Sequence, residues 1–163
     1  MGNFFKNVIQ ASAALALISF SSSVSAAPAS SSENSSTNAQ CGDPAVEAPK
    51  VADKYFDAFN AGDFVGNASA LHFPSYMLTP QGDFYTFPDL KSYVEMLQGF
   101  KATWHHEHVD EKKVVQTGSV KAHIAITASR YDKNNIRLAV HKSMWILTCK
   151  DGRWGIKARS HLD

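Results

Sequence analysis

The chain lacks the short motifs that identify most nucleotide-binding, hydrolytic and thiol-redox enzymes. It has no glycine-rich phosphate loop, no Gly-x-Ser-x-Gly turn around a serine nucleophile and no Cys-x-x-Cys pair. Nucleotide-dependent and covalent chemistry are therefore not expected. We predict that the protein needs neither a cofactor nor a metal ion.

The sequence also has little net charge. Loss of Lys6 with the N-terminal segment described below leaves 15 basic and 15 acidic side chains. Proteins that bind nucleic acid use a clear excess of positive charge against the phosphates, and none is present. No basic amphipathic segment suggests binding to a membrane surface either. We therefore predict no nucleic-acid partner and, after signal cleavage, no membrane partner.

No apolar run is long enough to span a membrane. The longest occupies residues 8–20, whereas a spanning helix needs about 20 apolar residues. Lys6 precedes this run, and small residues at Val24 and Ala26 follow it, which is typical of a secretory signal peptide. We predict a signal peptide over residues 1–26, a disordered linker rich in serine, asparagine and proline over residues 27–43, and a secreted or periplasmic domain over residues 44–163.

Cysteine is scarce, with only Cys41 and Cys149. Export would place both residues where a disulfide can persist. One alternative is a bridge that joins the start of the domain to a late strand. The other is a free surface Cys41 and a packed, reduced Cys149, and the sequence alone does not choose between them.

Three helices are predicted in the first half of the domain. Apolar residues at helical spacing after Pro49 indicate a first helix, which a glycine stops at Gly62. Asp63 is expected to cap a short second helix that runs through Leu71. A hairpin formed by residues 76–79 and 84–87 comes next, followed by a third helix from Leu90.

From Trp104 onward, the hydrophobic pattern changes to the two-residue period of strands. Turn signals at residues 118–119, 132–135 and 151–152 divide this region into four antiparallel strands. Helices followed by a strand meander predict an α+β domain with the helices packed on a curved sheet. The third strand is apolar on both faces, which predicts a homodimer formed through the sheet. One apolar face is predicted to contain Ala122, Ile124, Ile126, Ala128, Trp154, Ile156 and Ala158.

Two segments carry a resemblance to a known family. Residues 55–63 (YFDAFNAGD) and residues 151–156 (DGRWGI) resemble the NTF2-like superfamily, in its SnoaL-like form. The resemblance implies a cone with an internal pocket, often dimeric through the sheet. It does not imply one activity, because members include ketosteroid isomerase, scytalone dehydratase, polyketide cyclases, epoxide hydrolases and proteins without known catalysis.

Histidine is the first candidate for chemistry. Strand alternation predicts that His106, His108 and Asp110 share one face, where a histidine oriented by the carboxylate could act as a general base. The two histidines could also approach one metal ion, with a third ligand from His123 or His141. No spacing defines that third ligand, so no metal site is predicted.

Further candidates lie near the predicted pocket. His72 is the nearest match to the general-base aspartate that precedes a proline in ketosteroid isomerase; here it lies two residues before Pro74. His72 is therefore a candidate base, and the alternative is that it caps the second helix. Tyr55 is a candidate hydrogen-bond donor, although an aromatic residue at helical spacing is more often part of the core.

Four other polar residues are expected to lie outside the pocket. Arg130 and Asp132 have the Arg-x-Asp spacing that epoxide hydrolases of the superfamily place in a pocket strand. They adjoin a predicted turn, which favours a surface position. Strand alternation predicts that Arg159 and His161 also point away from the pocket.

These observations predict an exported NTF2-like domain that binds a small organic molecule in its pocket. The alternative is a cofactor-free isomerase, dehydratase or cyclase with a pocket histidine as the general base.

Overall fold

Three helices and one six-stranded sheet make up the part of the chain that the structure, a computed structural model, describes, namely residues 41–99 and 104–162. The predicted signal peptide and residues 27–40 of the predicted linker lie outside the described residues. The elements in chain order are α1 (Pro44–Asn60), α2 (Phe64–Ser69), β1 (Leu71–Leu78), β2 (Phe84–Phe87), α3 (Leu90–Gly99), β3 (His106–Thr117), β4 (Lys121–Tyr131), β5 (Arg137–Lys150) and β6 (Arg153–His161).

The sheet is mainly antiparallel, with strand order β2-β1-β6-β5-β4-β3. The single parallel pair, β1 with β6, joins the β1–β2 hairpin to the four-stranded meander. The predicted α+β class, with helices packed on a curved antiparallel sheet, is confirmed. Because β1 follows α2 directly and pairs with the C-terminal strand, the edge of the sheet wraps around the first helices.

Helix α1 begins earlier than the sequence pattern indicated. Its N-cap is Asp43, whose carboxylate accepts a hydrogen bond of 2.9 Å from the backbone N–H of Ala45. Pro44 occupies the first turn, where its missing N–H leaves no helical hydrogen bond unmade. Pro49 lies inside the helix instead of preceding it. The predicted boundary was wrong because the cap, and not the second proline, starts the helix.

The second helix is shorter than predicted. It ends at Ser69, and Leu71 and His72 already belong to β1. Leu71 pairs with Ile156 of β6, so strand pairing replaces the last predicted helical turn. The interpretation of His72 as a helix cap is therefore wrong.

The core lies between α1 and the concave face of the sheet. Phe56 stacks on Trp145, with ring centroids 5.5 Å apart, and Tyr55 contacts the same indole edge-on at 5.1 Å. The predicted apolar face of β4 is confirmed as part of this core. Its members are Ala122, Ile124, Ile126 and Ala128, all at most 2 % exposed.

A bulge in β6 reverses the alternation that the sequence predicted. Ile156 pairs with Leu147, but Ala158 pairs with the adjacent Ile146, so Lys157 is an extra residue on β6. After this residue, odd-numbered side chains turn to the concave face. The predictions that Ala158 shares the face of Ile156 and that Arg159 and His161 point away from the pocket are therefore wrong.

A disulfide joins Cys41 to Cys149, with Cα atoms 6.1 Å apart. It links Cys41, three residues before the start of α1, to β5, so the bridged alternative is the one the structure contains. The indole N–H of Trp154 donates a hydrogen bond of 3.0 Å to the carbonyl of Cys41. The N-terminal end of the domain is thus held on the sheet by one covalent and one polar contact.

The turn between β5 and β6 has the predicted type I′ character. Asp151 and Gly152 are its two central residues, and both have positive φ, 53° and 73°.

No helix among residues 41–99 and 104–162 is long and apolar enough to cross a membrane.

Candidate functional site

A cavity of about 130 Å³ lies on the concave face of the sheet, between the strands and helices α1 and α3. Protein interiors rarely leave voids larger than a water molecule, so this volume is available to a ligand. Its wall contains two methionines, Met77 and Met96, whose flexible side chains can adapt to a ligand. Six aromatic residues also line it: Tyr55, Phe56, Phe59, Tyr93, Trp104 and Trp145.

Arg159 lies at the centre of the polar part of this cavity and is only 5 % exposed. One terminal N–H donates to the hydroxyl of Tyr55, and the other terminal nitrogen donates to the hydroxyl of Tyr93 at 3.1 Å. The two hydroxyl oxygens are 2.9 Å apart. Burial raises the pKa of Tyr93 well above its ordinary value, so this phenol stays neutral and keeps its hydrogen. The guanidinium also lies within 6 Å of the ring centroids of Tyr55, Tyr93 and Trp145.

A second arginine forms an ion pair at the cavity wall. Nε of Arg130 donates to the carboxylate of Glu107 at 2.8 Å, and the guanidinium carbon lies 3.8 Å from the ring centroid of Trp104. The prediction that Arg130 lies at the surface of a hairpin was wrong, because its side chain follows the concave face of β4. Asp132 does lie in the turn, where its carboxylate accepts the backbone N–H of Ile136.

The side chain of Asn60 fixes the position of Glu107. Its amide donates to the carbonyl of Glu107 at 2.8 Å, and its carbonyl accepts the backbone N–H of Glu107 at 2.9 Å. These two bonds join the C-terminal end of α1 to the beginning of β3. The Glu107–Arg130 pair is therefore held at the cavity wall by a backbone contact as well as by its own charges.

Two histidines line the cavity beside Arg159. The rings of His141 on β5 and His161 on β6 are 6.3 Å apart. Burial, aided by the positive charges of Arg159, His141 and Arg130, lowers the pKa of His161 to about 4. His161 is therefore a neutral imidazole at pH 7, and its lowered pKa makes it a weaker base than a free imidazole.

Among the site residues predicted from the sequence, Tyr55 is placed in the cavity wall. His106 and His108 do share a face of β3, but they pair with Tyr131 and Ser129, whereas the neighbouring Glu107 faces the cavity. His106 stacks on Tyr131 with ring centroids 5.2 Å apart. The geometry therefore gives no support for either histidine as a base in this cavity.

Asp110 is the extra residue of a bulge in β3. Val109 pairs with Ala128 and Glu111 with Thr127, so Asp110 has no opposite residue. Its carboxylate accepts a hydrogen bond from the hydroxyl of Ser129. It does not line the cavity either.

His72 is buried on the opposite face of the sheet, against Gly155. Its Nδ1 is hydrogen-bonded to the hydroxyl of Thr148 at 2.9 Å, and its Nε2 has no partner among the described residues. A Cβ atom at Gly155 would lie 2.6 Å from the imidazole, so only glycine leaves room for this ring. Burial and the nearby positive charges lower the pKa of His72 to about 4. His72 is remote from the cavity lining.

No group of three or more His, Cys, Asp or Glu side chains is placed to hold a metal ion within the residues that the structure describes. His123 lies on the convex face of β4, opposite Ile146, whereas His141 lines the cavity. The two candidates for a third metal ligand thus lie on opposite faces of the sheet.

The central residue of the site, Arg159, was not predicted from the sequence. Its signal was present as a cation within three residues of the apolar Ile156 and Ala158, in the last strand. Simple alternation assigned it to the wrong face because a one-residue bulge has no reliable sequence mark. Tyr93 lies in the predicted third helix and was not among the candidate site residues either.

No protein-family model matches the chain, and no curated protein matches it. Solved structures do match. A ketosteroid isomerase-like protein from Erwinia carotovora atroseptica is 16% identical, with a TM-score of 0.56, over 75% of this chain and 98% of that chain. An NTF2-like protein of unknown function from Pseudomonas putida is 11% identical, with a TM-score of 0.56, over 69% of this chain and 80% of that chain.

A third match has the same general shape. An NTF2-like protein with a cystatin-like fold from Novosphingobium aromaticivorans is 11% identical, with a TM-score of 0.57, over 71% of this chain and 78% of that chain. Identities this low establish the fold and leave the activity open. Together with the helices packed on a curled six-stranded sheet, these matches show that the chain has the NTF2-like fold that residues 55–63 and 151–156 predicted.

Proposed function

We propose that this protein is an exported NTF2-like domain that binds a small, largely apolar organic molecule in its concave cavity. The observation that carries the proposal is the aromatic wall around a volume of about 130 Å³. That volume is close to the roughly 150 Å³ of an engineered apolar cavity that binds benzene. Tyr55 and Arg159 add a few polar groups that would orient the ligand, which is the usual composition of a small-molecule site.

Ligand-observed NMR with single-ring probes tests this proposal. Benzamide, phenol and benzoate are to be titrated into the purified protein and into a Met96→Trp variant, in which a larger side chain fills part of the cavity. We expect binding by the wild type of at least one probe and its loss in Met96→Trp. Val65→Trp is the matched control, because Val65 is 58 % exposed on α2 and does not line the cavity. Absence of binding by all three probes would contradict the proposal.

The enzymatic alternative is favoured by His161. A neutral imidazole beside the cationic Arg159 could remove a proton from a ligand, while the guanidinium stabilises the negative charge that develops. Incubation of a bound carbonyl compound in D₂O tests this role. Deuterium should enter at the carbon next to the carbonyl with wild-type protein and not with His161→Gln. Equal exchange in both proteins would leave binding as the function.

Export is supported by the disulfide between Cys41 and Cys149, since such bonds persist mainly outside the cytosol. Expression in a host with a secretory pathway, followed by N-terminal sequencing of the exported protein, tests the proposal. We expect the mature chain to begin at Ala27. Retention of the full-length chain inside the cell would contradict both the signal peptide and the localisation.

A homodimer through the sheet is supported by apolar residues on its convex face. Leu138 is 50 % exposed and Val140 is 42 % exposed, beside the partly exposed Met144 and Ile146 on the same strand. A second copy of the chain would cover this surface. Analytical ultracentrifugation should detect a dimer that Val140→Glu converts to a monomer, whereas Val65→Glu on α2 should not change the mass. A wild-type monomer at micromolar concentration would contradict the proposal.

A further inference from the structure

The guanidinium of Arg159 is buried in the cavity without a carboxylate partner. None of the ion pairs formed by residues 41–99 and 104–162 includes it: the cations of those pairs are Lys50, Lys91, Lys112 and Arg130. Its Nε has no hydrogen-bond partner among the described residues. A buried charge without a counter-charge is unfavourable, and an arginine does not lose its proton to avoid the cost.

The remaining charges of the cavity do not offset this cation. Glu107 is the one carboxylate among the described lining residues, and Arg130 already pairs with it at 2.8 Å. His161 is neutral at pH 7 for the reason given above. The described lining residues therefore leave about one positive charge at Arg159 once the Glu107–Arg130 pair is counted as neutral.

The hydrogen atoms around Arg159 leave one hydroxyl donor free. Each of the oxygens of Tyr55 and Tyr93 accepts an N–H from Arg159, and the two hydroxyls are hydrogen-bonded to each other. Only one of the two hydroxyl hydrogens is used between them. The other has no acceptor among the described residues. The site thus combines a positive charge with an unused O–H donor, which is the arrangement that a carboxylate oxygen accepts.

The size of the cavity limits the ligand to about one six-membered ring, and its wall is mostly apolar, with six aromatic residues. We infer that the cavity binds single-ring carboxylic acids as their anions, with the carboxylate on Arg159 and the tyrosine hydroxyls and the ring against Trp145. This inference rests on the proposed function, because it names the class of ligand for the same cavity. It requires no contribution from a cofactor or a second chain.

A comparison of benzoate with benzamide tests the inference on the wild-type protein alone. The two probes have nearly the same shape, and only benzoate carries a charge. A charge-assisted hydrogen bond favours benzoate by about 10- to 100-fold in dissociation constant at pH 7, measured by isothermal titration calorimetry. Equal affinities would overturn the carboxylate inference and leave the proposed function standing. If neither benzoate nor benzamide binds, the inference is overturned, and the proposed function is overturned with it if phenol does not bind either.

Substitution of Arg159 tests whether this residue provides the preference. Arg159→Met has a similar length without charge, and it should weaken the binding of benzoate more than that of benzamide, so that the preference for benzoate is lost. Arg137→Met is the matched control, because it removes an exposed positive charge from β5. Its preference should equal that of the wild type. A full benzoate preference in Arg159→Met would overturn the inference.

Arg159→Lys provides a second variant that keeps the charge, and it should retain part of the preference. The comparison of the two probes on wild-type protein decides the inference if Arg159→Met does not fold.

The pH dependence supplies an independent measurement. Benzoate should lose its advantage as acidification protonates its carboxylate, whereas the affinity for benzamide should change less over the same range. A benzoate advantage that survives this protonation would overturn the inference.

Discussion

Ile156 and Ala158 are two residues apart on β6, yet their side chains lie on opposite faces of the sheet. Ile156 pairs with Leu147, and Ala158 pairs with the next residue of β5, Ile146. The extra residue between them is Lys157. It turns Arg159 to the concave face, opposite Trp145, and so brings the cation to the tyrosines of the helices. One bulge residue therefore decides the composition of the cavity.

Deletion of Lys157 should leave the cavity intact. Without this extra residue, Ile156, Ala158 and Arg159 follow one another in simple alternation, so Arg159 stays opposite Trp145 and Ala158 stays opposite Ile146. Urea unfolding should therefore give a similar free energy of unfolding for the deletion variant and for Lys157→Ala, which keeps the bulge. Large-to-small changes in a core cost about 2 to 5 kcal/mol. A loss of that size in the deletion variant beyond that of Lys157→Ala would contradict the assignment of Lys157 as the extra residue.

Acid should destabilise the protein through His72 between about pH 6.5 and 4. In the folded state, burial and the positive charges of Arg153, Lys150 and Lys157 lower the pKa of His72 to about 4. The negative charge of Asp151 acts in the opposite direction and does not cancel this shift. In this range, the unfolded chain binds more protons than the folded one, so the free energy of unfolding falls as the pH falls.

Urea unfolding at pH 7, 6, 5 and 4 measures this effect. His72→Gln should reduce the slope of stability against pH, although part of the slope should remain because the pKa of His161 is also lowered to about 4. His108→Gln is the control, because His108 is exposed on β3. An unchanged slope in His72→Gln would show that His72 does not cause the acid sensitivity.

Asn60→Ala should loosen the contact between α1 and β3. The substitution removes both hydrogen bonds to the backbone of Glu107, and each contributes about 0.5 to 1.5 kcal/mol. We therefore expect a loss of about 1 to 3 kcal/mol in the free energy of unfolding, measured in urea. Asn134→Ala is the matched control, because the side chain of Asn134 is exposed in a turn. A loss no larger than that of the control would contradict the role of Asn60.

Reduction of the disulfide should lower stability by about 4 to 5 kcal/mol, because the bridge closes a loop of 108 residues in the unfolded chain. Thermal unfolding with and without a thiol reductant measures the effect. The double variant with Cys41→Ser and Cys149→Ser should unfold at the temperature of the reduced protein and should not respond to the reductant. A wild-type protein that is insensitive to reduction would contradict the prediction.

The sequence predicted the elements more accurately than the site. Helices before a strand meander, the apolar face of β4 and the turn at Asp151 follow from local periodicity and turn chemistry, which act within a few residues. Tyr55 was a candidate because it lies on the apolar face of α1. Its partners, Tyr93 and Arg159, lie 38 and 104 residues further along the chain, so no local pattern joins them.

The sequence by itself determined the α+β class, the helical and strand periods and the segments typical of the NTF2-like fold, because these depend on the spacing of apolar residues and on a few turn residues. Tertiary structure decided which polar side chains meet. The bulge at Lys157 changed the faces predicted for Ala158, Arg159 and His161, and the fold brought Cys41 to Cys149. Alternation has a period of two, so a single extra residue moves every later side chain to the other face.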